Sequence, residues 1–206
     1  MSDPSLSTPA ERASYGIGLQ MGEQLRGVFS TVSLEAALAG LQDAFLGTQP
    51  RLDEAAINDA FGVIQEQIQR EKAEQSKTMA AEGQAFLAEN AKRDGVVTTP
   101  SGLQYEVISM GTGARPTRAN TVRTHYRGTL INGTEFDSSY RRGQPAEFPV
   151  SGVIAGWTEA LQLMPTGSKW RLYIPHQLAY GERGAGADIG PFQALIFDIE
   201  LVSIVR

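Results

Sequence analysis

Residues 122–139 read Val122-Arg123-Thr124-His125-Tyr126-Arg127-Gly128-Thr129-Leu130-Ile131-Asn132-Gly133-Thr134-Glu135-Phe136-Asp137-Ser138-Ser139. Val122, Thr124 and Tyr126 alternate with polar neighbours, the period-two pattern of a strand with one buried face. Successive side chains of a strand point to opposite faces, so His125 points away from the face that carries Tyr126. Asn132-Gly133, set between Leu130-Ile131 and Glu135-Phe136, is a two-residue hairpin signal. The stretch therefore predicts paired antiparallel strands, with Asp137 directly beside Phe136.

The same alternation recurs on either side of it. Leu103, Tyr105 and Val107 form one strand face, Trp170, Leu172 and Ile174 another, and Leu195, Phe197, Ile199 and Leu201 a last one. A short helix fits around Trp157, with Leu161 one turn later on the same side. An antiparallel sheet with one helix packed on it makes this half an α+β domain. Gly95 and the turn-forming Thr99-Pro100-Ser101-Gly102 mark where it begins, which sets its span at 96–206.

Before that boundary the period changes to that of helices. Thr8-Pro9-Ala10-Glu11 has the form of a capping box with proline at the first helical position, and leads into Tyr15, Leu19 and Met21. A second helix can start at Ser33, bury Leu34, Ala37, Leu38, Leu41 and Phe45, and end at Gly47. Both are short and apolar on one face, so they need a partner. They define a helical domain over 1–52. Gly16, Gly18 and Gly22 in the first helix form Gly-x-Gly-x-x-x-Gly, but no strand precedes them as a dinucleotide-binding loop requires. Glycines that let another helix approach closely are the better reading.

From Asp53, a candidate N-cap, to Asp94 no proline interrupts the chain, and a single helix of that length spans about 63 Å. Apolar residues gather at its ends, Ile57, Phe61, Ile64 and Ile68 at the start and Met79, Phe86 and Leu87 at the finish. The middle, residues 69–77, is polar all round. Such a helix typically crosses solvent between two domains, so 53–95 is expected to be a long linker helix, with a charged face of a bundle as the alternative.

Composition narrows the function classes. The 206 residues carry a net charge of −5, which argues against general affinity for phosphate backbones. Residues 1–99 hold 8 basic and 14 acidic side chains and residues 100–206 hold 10 and 9, so charge also divides the chain in two. Arg115, Arg118 and Arg123 read as a solvated strand edge rather than a nucleic-acid site. No run approaches the roughly 18 apolar residues of a membrane span. The start, Met1-Ser2-Asp3-Pro4-Ser5, lacks the pattern of a secretory signal, so the expected location is the cytoplasm. With no cysteine there is neither a disulfide nor thiol catalysis.

The chemistry-bearing residues point to a pocket. Two histidines, His125 and His176, without cysteine or carboxylate spacing make a metal site improbable, and no Gly-x-Ser-x-Gly occurs. Gly181-Glu182-Arg183-Gly184-Ala185-Gly186 lacks the Lys-Ser/Thr ending of a phosphate loop, which leaves a loop over a site or a plain surface turn. Tyr126, Phe136, Trp157, Tyr180 and Phe197 fall on separate strands and loops, with Asp137 among them. Each alone reads as core, but jointly they read as a lined apolar pocket with one carboxylate and hydroxyls at its edge. A site with no activated nucleophile, metal or cofactor works by binding a distorted substrate conformation.

The stretches Val122–Gly128, Gly133–Ser139, Val153-Ile154-Ala155-Gly156-Trp157 and Ala179-Tyr180-Gly181 resemble, in order and spacing, the FKBP-type peptidyl-prolyl cis-trans isomerases over roughly residues 98–206. The helical first half, with Ala13-Ser14-Tyr15-Gly16-Ile17-Gly18, resembles the dimeric bacterial, FklB-like branch of that family, related to the macrophage infectivity potentiator. The resemblance implies an FKBP fold and prolyl isomerase activity without a cofactor. It implies a homodimer formed through the N-terminal helices, and unfolded or nascent polypeptides with prolyl bonds as substrates. A macrolide becomes a candidate ligand. Trp157 would be the floor for the proline ring, with Tyr126, Phe136, Phe148, Val153, Ile154, Ile189 and Phe197 around it. The Tyr180 hydroxyl and the Ile154 amide would donate to substrate carbonyls, and Asp137 would contact Tyr126 and be steadied by Arg142. Ala146 replaces a wall aromatic of many members, which opens the pocket there. Ala185 stands where some members have histidine. Ile189-Gly190-Pro191 replaces Ile-Pro-Pro, which is expected to loosen the loop covering the site. A binding module that captures prolyl segments with incidental turnover is the alternative class.

Overall fold

The helices of the first half start on local signals. In the computed structural model, which describes residues 5–28 and 32–205, helix α1 spans Pro9–Val28. The Glu11 amide donates to Thr8 Oγ1 at 3.2 Å and the Thr8 amide to Glu11 Oε2 at 2.8 Å, a reciprocal capping box. Helix α2 spans Leu34–Leu46, where Ser33 Oγ accepts from the Ala36 amide and Gly47 closes the end at φ 65°. Helix α3 spans Glu54–Asn90, and Asp53 Oδ1 caps it by accepting from the Ala56 amide at 2.7 Å. Met1–Pro4 of the expected first domain lie outside the described residues.

Contacts group the chain into two compact units, one ending at Glu71 and the other beginning at Lys72. In the first unit no residue of α1 or α2 is buried. Phe45 is 87% exposed, and Leu34, Leu38 and Leu41 are exposed as well. Gly16, Gly18 and Gly22 lie in α1, which removes the loop a dinucleotide would need. Among the described residues no atom comes within 4 Å of a Cβ placed on any of them, so the close helix approach they were expected to admit is not made among those residues.

Two features of α3 differ from the sequence reading. It ends at Asn90 instead of continuing to Asp94, because its end is held by a distant strand. The buried Asn90 Nδ2 donates to Gln104 Oε1 at 2.8 Å, and Gln104 Nε2 donates to the Leu87 carbonyl at 2.8 Å. The chain then turns at Gly95, φ 83°. Residues 69–75 are all exposed, as their polarity requires. Beyond them, however, α3 packs into the second unit: Gly83 is buried beside Ala194, and the Phe86 ring meets Tyr173 at 6.0 Å between centroids. The division between units therefore falls inside the span read as a linker.

The second unit is a seven-stranded antiparallel sheet. Its strands are β1 (Val96–Thr98), β2 (Gln104–Ser109), β3 (Thr121–Leu130), β4 (Glu135–Ser138), β5 (Ala146–Pro149), β6 (Lys169–Ile174) and β7 (Leu195–Ile204). The order is β1-β2-β6-β7-β3-β4, with β5 also on β3. Helix α4 (Ala155–Leu163) closes one face. Leu195, Phe197, Ile199 and Leu201 of β7 point into the core with Leu172 and Ile174 of β6, and Trp157 and Leu161 of α4 meet them. A Cβ on Gly156 would lie 2.6 Å from Ile174 Cγ2, so only glycine lets α4 sit this close to β6. In β2 the inward alternation holds for Tyr105 but weakens at Val107, 36% exposed, where pairing with β6 slips register.

The hairpin between β3 and β4 is real but of another type. The Leu130 amide donates to the Thr134 carbonyl and the Gly133 amide to the Leu130 carbonyl, which gives a three-residue loop. Gly133 has φ 88° while Asn132 is not at positive φ, so a type I turn with a glycine bulge replaces the two-residue turn. Along β3, β5 pairs with Thr121–Thr124 and β4 with Arg127–Thr129. Tyr126 sits in the gap between the two partners, and the site is built there.

Candidate active site

The floor comes from α4. Trp157 lies in its first turn, and three rings meet the indole edge-on: Tyr126 at 5.2 Å, Phe148 at 5.7 Å and Phe197 at 5.2 Å between centroids. Phe136 continues the wall, 5.5 Å from Phe197. These rings come from β3, β4, β5, β7 and α4, so the sheet must form before the wall exists. Edge-to-face pairs of this kind hold one another in orientation.

Together they enclose a cavity of about 520 Å³. Of the residues proposed from sequence, Tyr126, Phe136, Asp137, Phe148, Val153, Ile154, Trp157, Tyr180, Ile189 and Phe197 all line it. Arg142 does not line it but stands behind Asp137, as expected. Ala146 packs against the core and is not a wall residue. Gly152, Gly186 and Asp188 are additional lining residues, as is Ala185, where some FKBP-type chains carry histidine.

Gly128 was quoted in the motif without a role, and the structure gives it one. A Cβ there would come within 2.6 Å of the Phe136 ring and 2.7 Å of Phe197. The signal was available only as an unexplained glycine inside a strand, a mark of close approach.

At the rim, Tyr126 Oη donates to Asp137 Oδ2 at 2.5 Å and accepts from Arg142 Nη2 at 2.6 Å, while Arg142 Nη1 donates to Asp137 Oδ1. Partial burial pushes the Asp137 carboxyl up, but hydrogen bonds from Tyr126 and Arg142 and the guanidinium charge outweigh it and hold the group below the usual carboxylate value. Burial, then the bond to Asp137, raises the Tyr126 phenol. Tyr180 is 40% exposed, its phenol raised by burial and by the Asp137 charge. Its hydroxyl makes no hydrogen bond among the described residues, and neither does the Ile154 amide at the start of α4. The buried Trp157 Nε1 is likewise without a partner there.

His125 lies opposite the cavity, stacked on Tyr140 at 4.9 Å and 3.1 Å from Ser139 Oγ. His176 packs against Phe192. Among the described residues no group of three His, Asp or Glu stands close enough to hold a metal ion.

The glycine-rich segment 181–186 forms part of the site rather than a plain turn. Gly181, Gly184 and Gly186 have positive φ, and Ala185 exchanges two backbone hydrogen bonds with Ile189. Gly190 adds to this loop a hydrogen bond that proline at that position could not make. Its amide donates to Gln193 Oε1 at 2.9 Å, and the Phe192 amide donates to the Gly181 carbonyl at 2.8 Å.

A family model described as FKBP-type peptidyl-prolyl cis-trans isomerase matches residues 113–202, and one described as the domain amino terminal to it matches residues 10–107. The chain is 52% identical over 206 residues to the FKBP-type 22 kDa peptidyl-prolyl cis-trans isomerase of Escherichia coli strain K12, with all of both chains covered. It is 44% identical over 209 residues to outer membrane protein MIP of Legionella longbeachae, with 98% of this chain and 88% of that one covered. The crystal structure of FkpA from Escherichia coli superposes with a TM-score of 0.76 at 32% identity, covering 97% of this chain and 98% of that one.

Proposed function

The chain belongs to the FKBP-type peptidyl-prolyl cis-trans isomerases, and on that premise we propose that its cavity accelerates Xaa-Pro rotation in unfolded or folding polypeptides by desolvating the amide and binding its twisted form preferentially. The reaction needs no bond to break. Resonance holds the peptide bond planar behind a barrier of about 18–20 kcal/mol. At the twisted transition state that resonance is lost, and with it much of the carbonyl dipole. An apolar surround disfavours the polar planar amide relative to the twisted one. Binding that improves only at the transition state raises kcat.

The observation that carries this reading is the combination of an aromatic cavity with donors left unused. Trp157 would carry the proline ring. The Tyr180 hydroxyl and the Ile154 amide have no partner among the described residues and would each donate to a substrate carbonyl. Asp137 is spent: both carboxylate oxygens already accept from Tyr126 and Arg142, so it orients the rim and is a poor proton acceptor near neutral pH.

Homodimerisation through the N-terminal helices completes the proposal. The apolar faces of α1 and α2 and the start of α3 are exposed, Phe45 and Phe61 among them, and a second copy is the partner that would cover them.

The test is proline isomerisation in a short Xaa-Pro peptide followed with the full chain. Acceleration that Phe136→Ala strongly reduces is expected. A wild-type chain that binds the peptide without accelerating its isomerisation would establish the capture module instead.

A further inference from the structure

We infer that the turn of α3 from Met79 to Gly83 is part of the active-site apparatus, with Met79 and Gly83 acting as positioning residues for the wall formed by Ile189. The inference rests on the isomerase reading of the cavity and adds to it a helix that lines no part of that cavity.

The contacts run from the helix to the wall in short steps. A Cβ on Gly83 would stand 3.3 Å from Ala194 Cβ and 3.9 Å from the Phe192 carbonyl oxygen, so the helix face lies directly on residues 192–194. One turn earlier, Met79 Sδ lies 3.3 Å from where a Cβ of Gly190 would be. Gly190 adjoins Ile189, which is 8% exposed and lines the cavity. The Phe192 amide holds the Gly181 carbonyl, next to Tyr180. The helix therefore seats a segment that carries one wall residue and is tied to the neighbour of the free hydroxyl donor.

That segment is one that needs seating. Phe192 has φ 58°, the left-handed region that a large side chain rarely adopts. Such a conformation persists only where the surroundings fix it. Here they are the Gly181 carbonyl, the His176 ring 5.1 Å from Phe192, and α3. Further along the helix, Phe86 docks on Tyr173, which does not line the cavity. Phe86 thus shares the helix and its docking but not the route to Ile189, and provides the control.

The experiment uses full-length variants, the peptide assay and thermal unfolding. Gly83→Ala, which pushes on Ala194, and Met79→Ala, which releases Gly190, are each expected to lower kcat/KM about five-fold, inside the roughly 100-fold that a 1 Å misplacement can cause. Adding Ala194→Gly to Gly83→Ala should restore the rate, which a general loss of stability would not do. Phe86→Ala should lower Tm and leave kcat/KM at the wild-type value. If Gly83→Ala and Met79→Ala lower Tm alone, or Phe86→Ala lowers kcat/KM as much as they do, the helix is only structural and the inference is overturned. Amide hydrogen exchange at Ala185 and Ile189 reads the same coupling without catalysis. Faster exchange in Gly83→Ala but not in Phe86→Ala supports it even if the wild-type chain proves inactive, an outcome that would overturn the isomerase mechanism instead; unchanged exchange in both overturns the coupling.

Discussion

The Tyr126 hydroxyl lies 2.5 Å from Asp137 Oδ2, and Arg142 bonds to both residues, so both oxygens of the Asp137 carboxylate are engaged before any substrate arrives. Asp137→Asn keeps its shape and loses its charge. It is expected to lower kcat/KM by less than the roughly 100-fold that removal of a general base costs. Phe136→Ala, which opens the wall, should cost more. A larger loss in Asp137→Asn than in Phe136→Ala, measured in the peptide assay, would make Asp137 a proton-transfer group and overturn the desolvation mechanism.

The pH dependence follows from the same three residues. Burial raises Asp137, but its hydrogen bonds from Tyr126 and Arg142 prevail and its folded pKa lies below the ordinary 3.8, while Tyr126 and Tyr180 are raised above 10.0, chiefly by burial. Among the described residues no histidine lines the cavity, so kcat/KM should be flat from about pH 5 to 9. A depressed carboxylate contributes stability above its unfolded pKa and loses it as pH falls through the folded value. The Tm advantage of wild type over Asp137→Asn should therefore be constant at neutral pH and shrink below about pH 4. An advantage that grows in acid would contradict the assigned direction.

Gly128 is where a single methyl group should act on the site. With Phe136 and Phe197 both inside contact distance of an added Cβ, Gly128→Ala must rotate a wall ring or shift β3 against β4. Overpacking of this kind costs about 1–3 kcal/mol. The expected result is a lower Tm together with a loss of peptide isomerisation near that of Phe136→Ala. Full activity in Gly128→Ala would show that the ring pair does not set the cavity.

How much of this was legible in the sequence depended on range. Thr8 with Glu11, Ser33 with Ala36, and Asp53 with Ala56 cap helix starts, and Gly47 closes the end of α2, all through contacts a few residues apart that the local sequence signals. Alternation in β7 likewise put Leu195, Phe197, Ile199 and Leu201 on the core face. The end of α3 was misplaced because Asn90 and Gln104, fourteen residues apart, decide it jointly. The loop at Asn132-Gly133 was mistyped because both turn types favour that pair, and only the hydrogen bonds distinguish them. Aromatic wall residues were recognisable in their family pattern. Gly128 and Gly83 were not, since a missing side chain shows its purpose only against the atoms that fill its place.

Dimer formation can be uncoupled from catalysis. The cavity lies wholly in the unit that begins at Lys72, whereas the exposed apolar side chains of α1 and α2 lie in the other. Full burial of one such side chain is worth about 1.5–3 kcal/mol. Leu38→Asp with Phe45→Asp should therefore reduce the mass seen by light scattering to that of the 22.2 kDa chain and leave peptide isomerisation unchanged. A wild-type chain already monomeric at micromolar concentration would sink the dimer.

Truncation tests where the catalytic unit begins. A fragment of residues 72–206 keeps Met79, Gly83, Phe86, Leu87 and Asn90 on their strands and loops, whereas 96–206 loses all five. Without them Tyr173 and Ala194 are uncovered, and Gln104 exchanges two protein partners for water. Lost burial of two or three half-covered apolar side chains amounts to about 2–4 kcal/mol. Both fragments should be monomeric, with 72–206 unfolding at a clearly higher temperature and isomerising peptide at the full-length rate, and 96–206 slower. Equal Tm and equal rates for the two would mean that the sheet and α4 suffice, and would return the second half of α3 to the status of a linker.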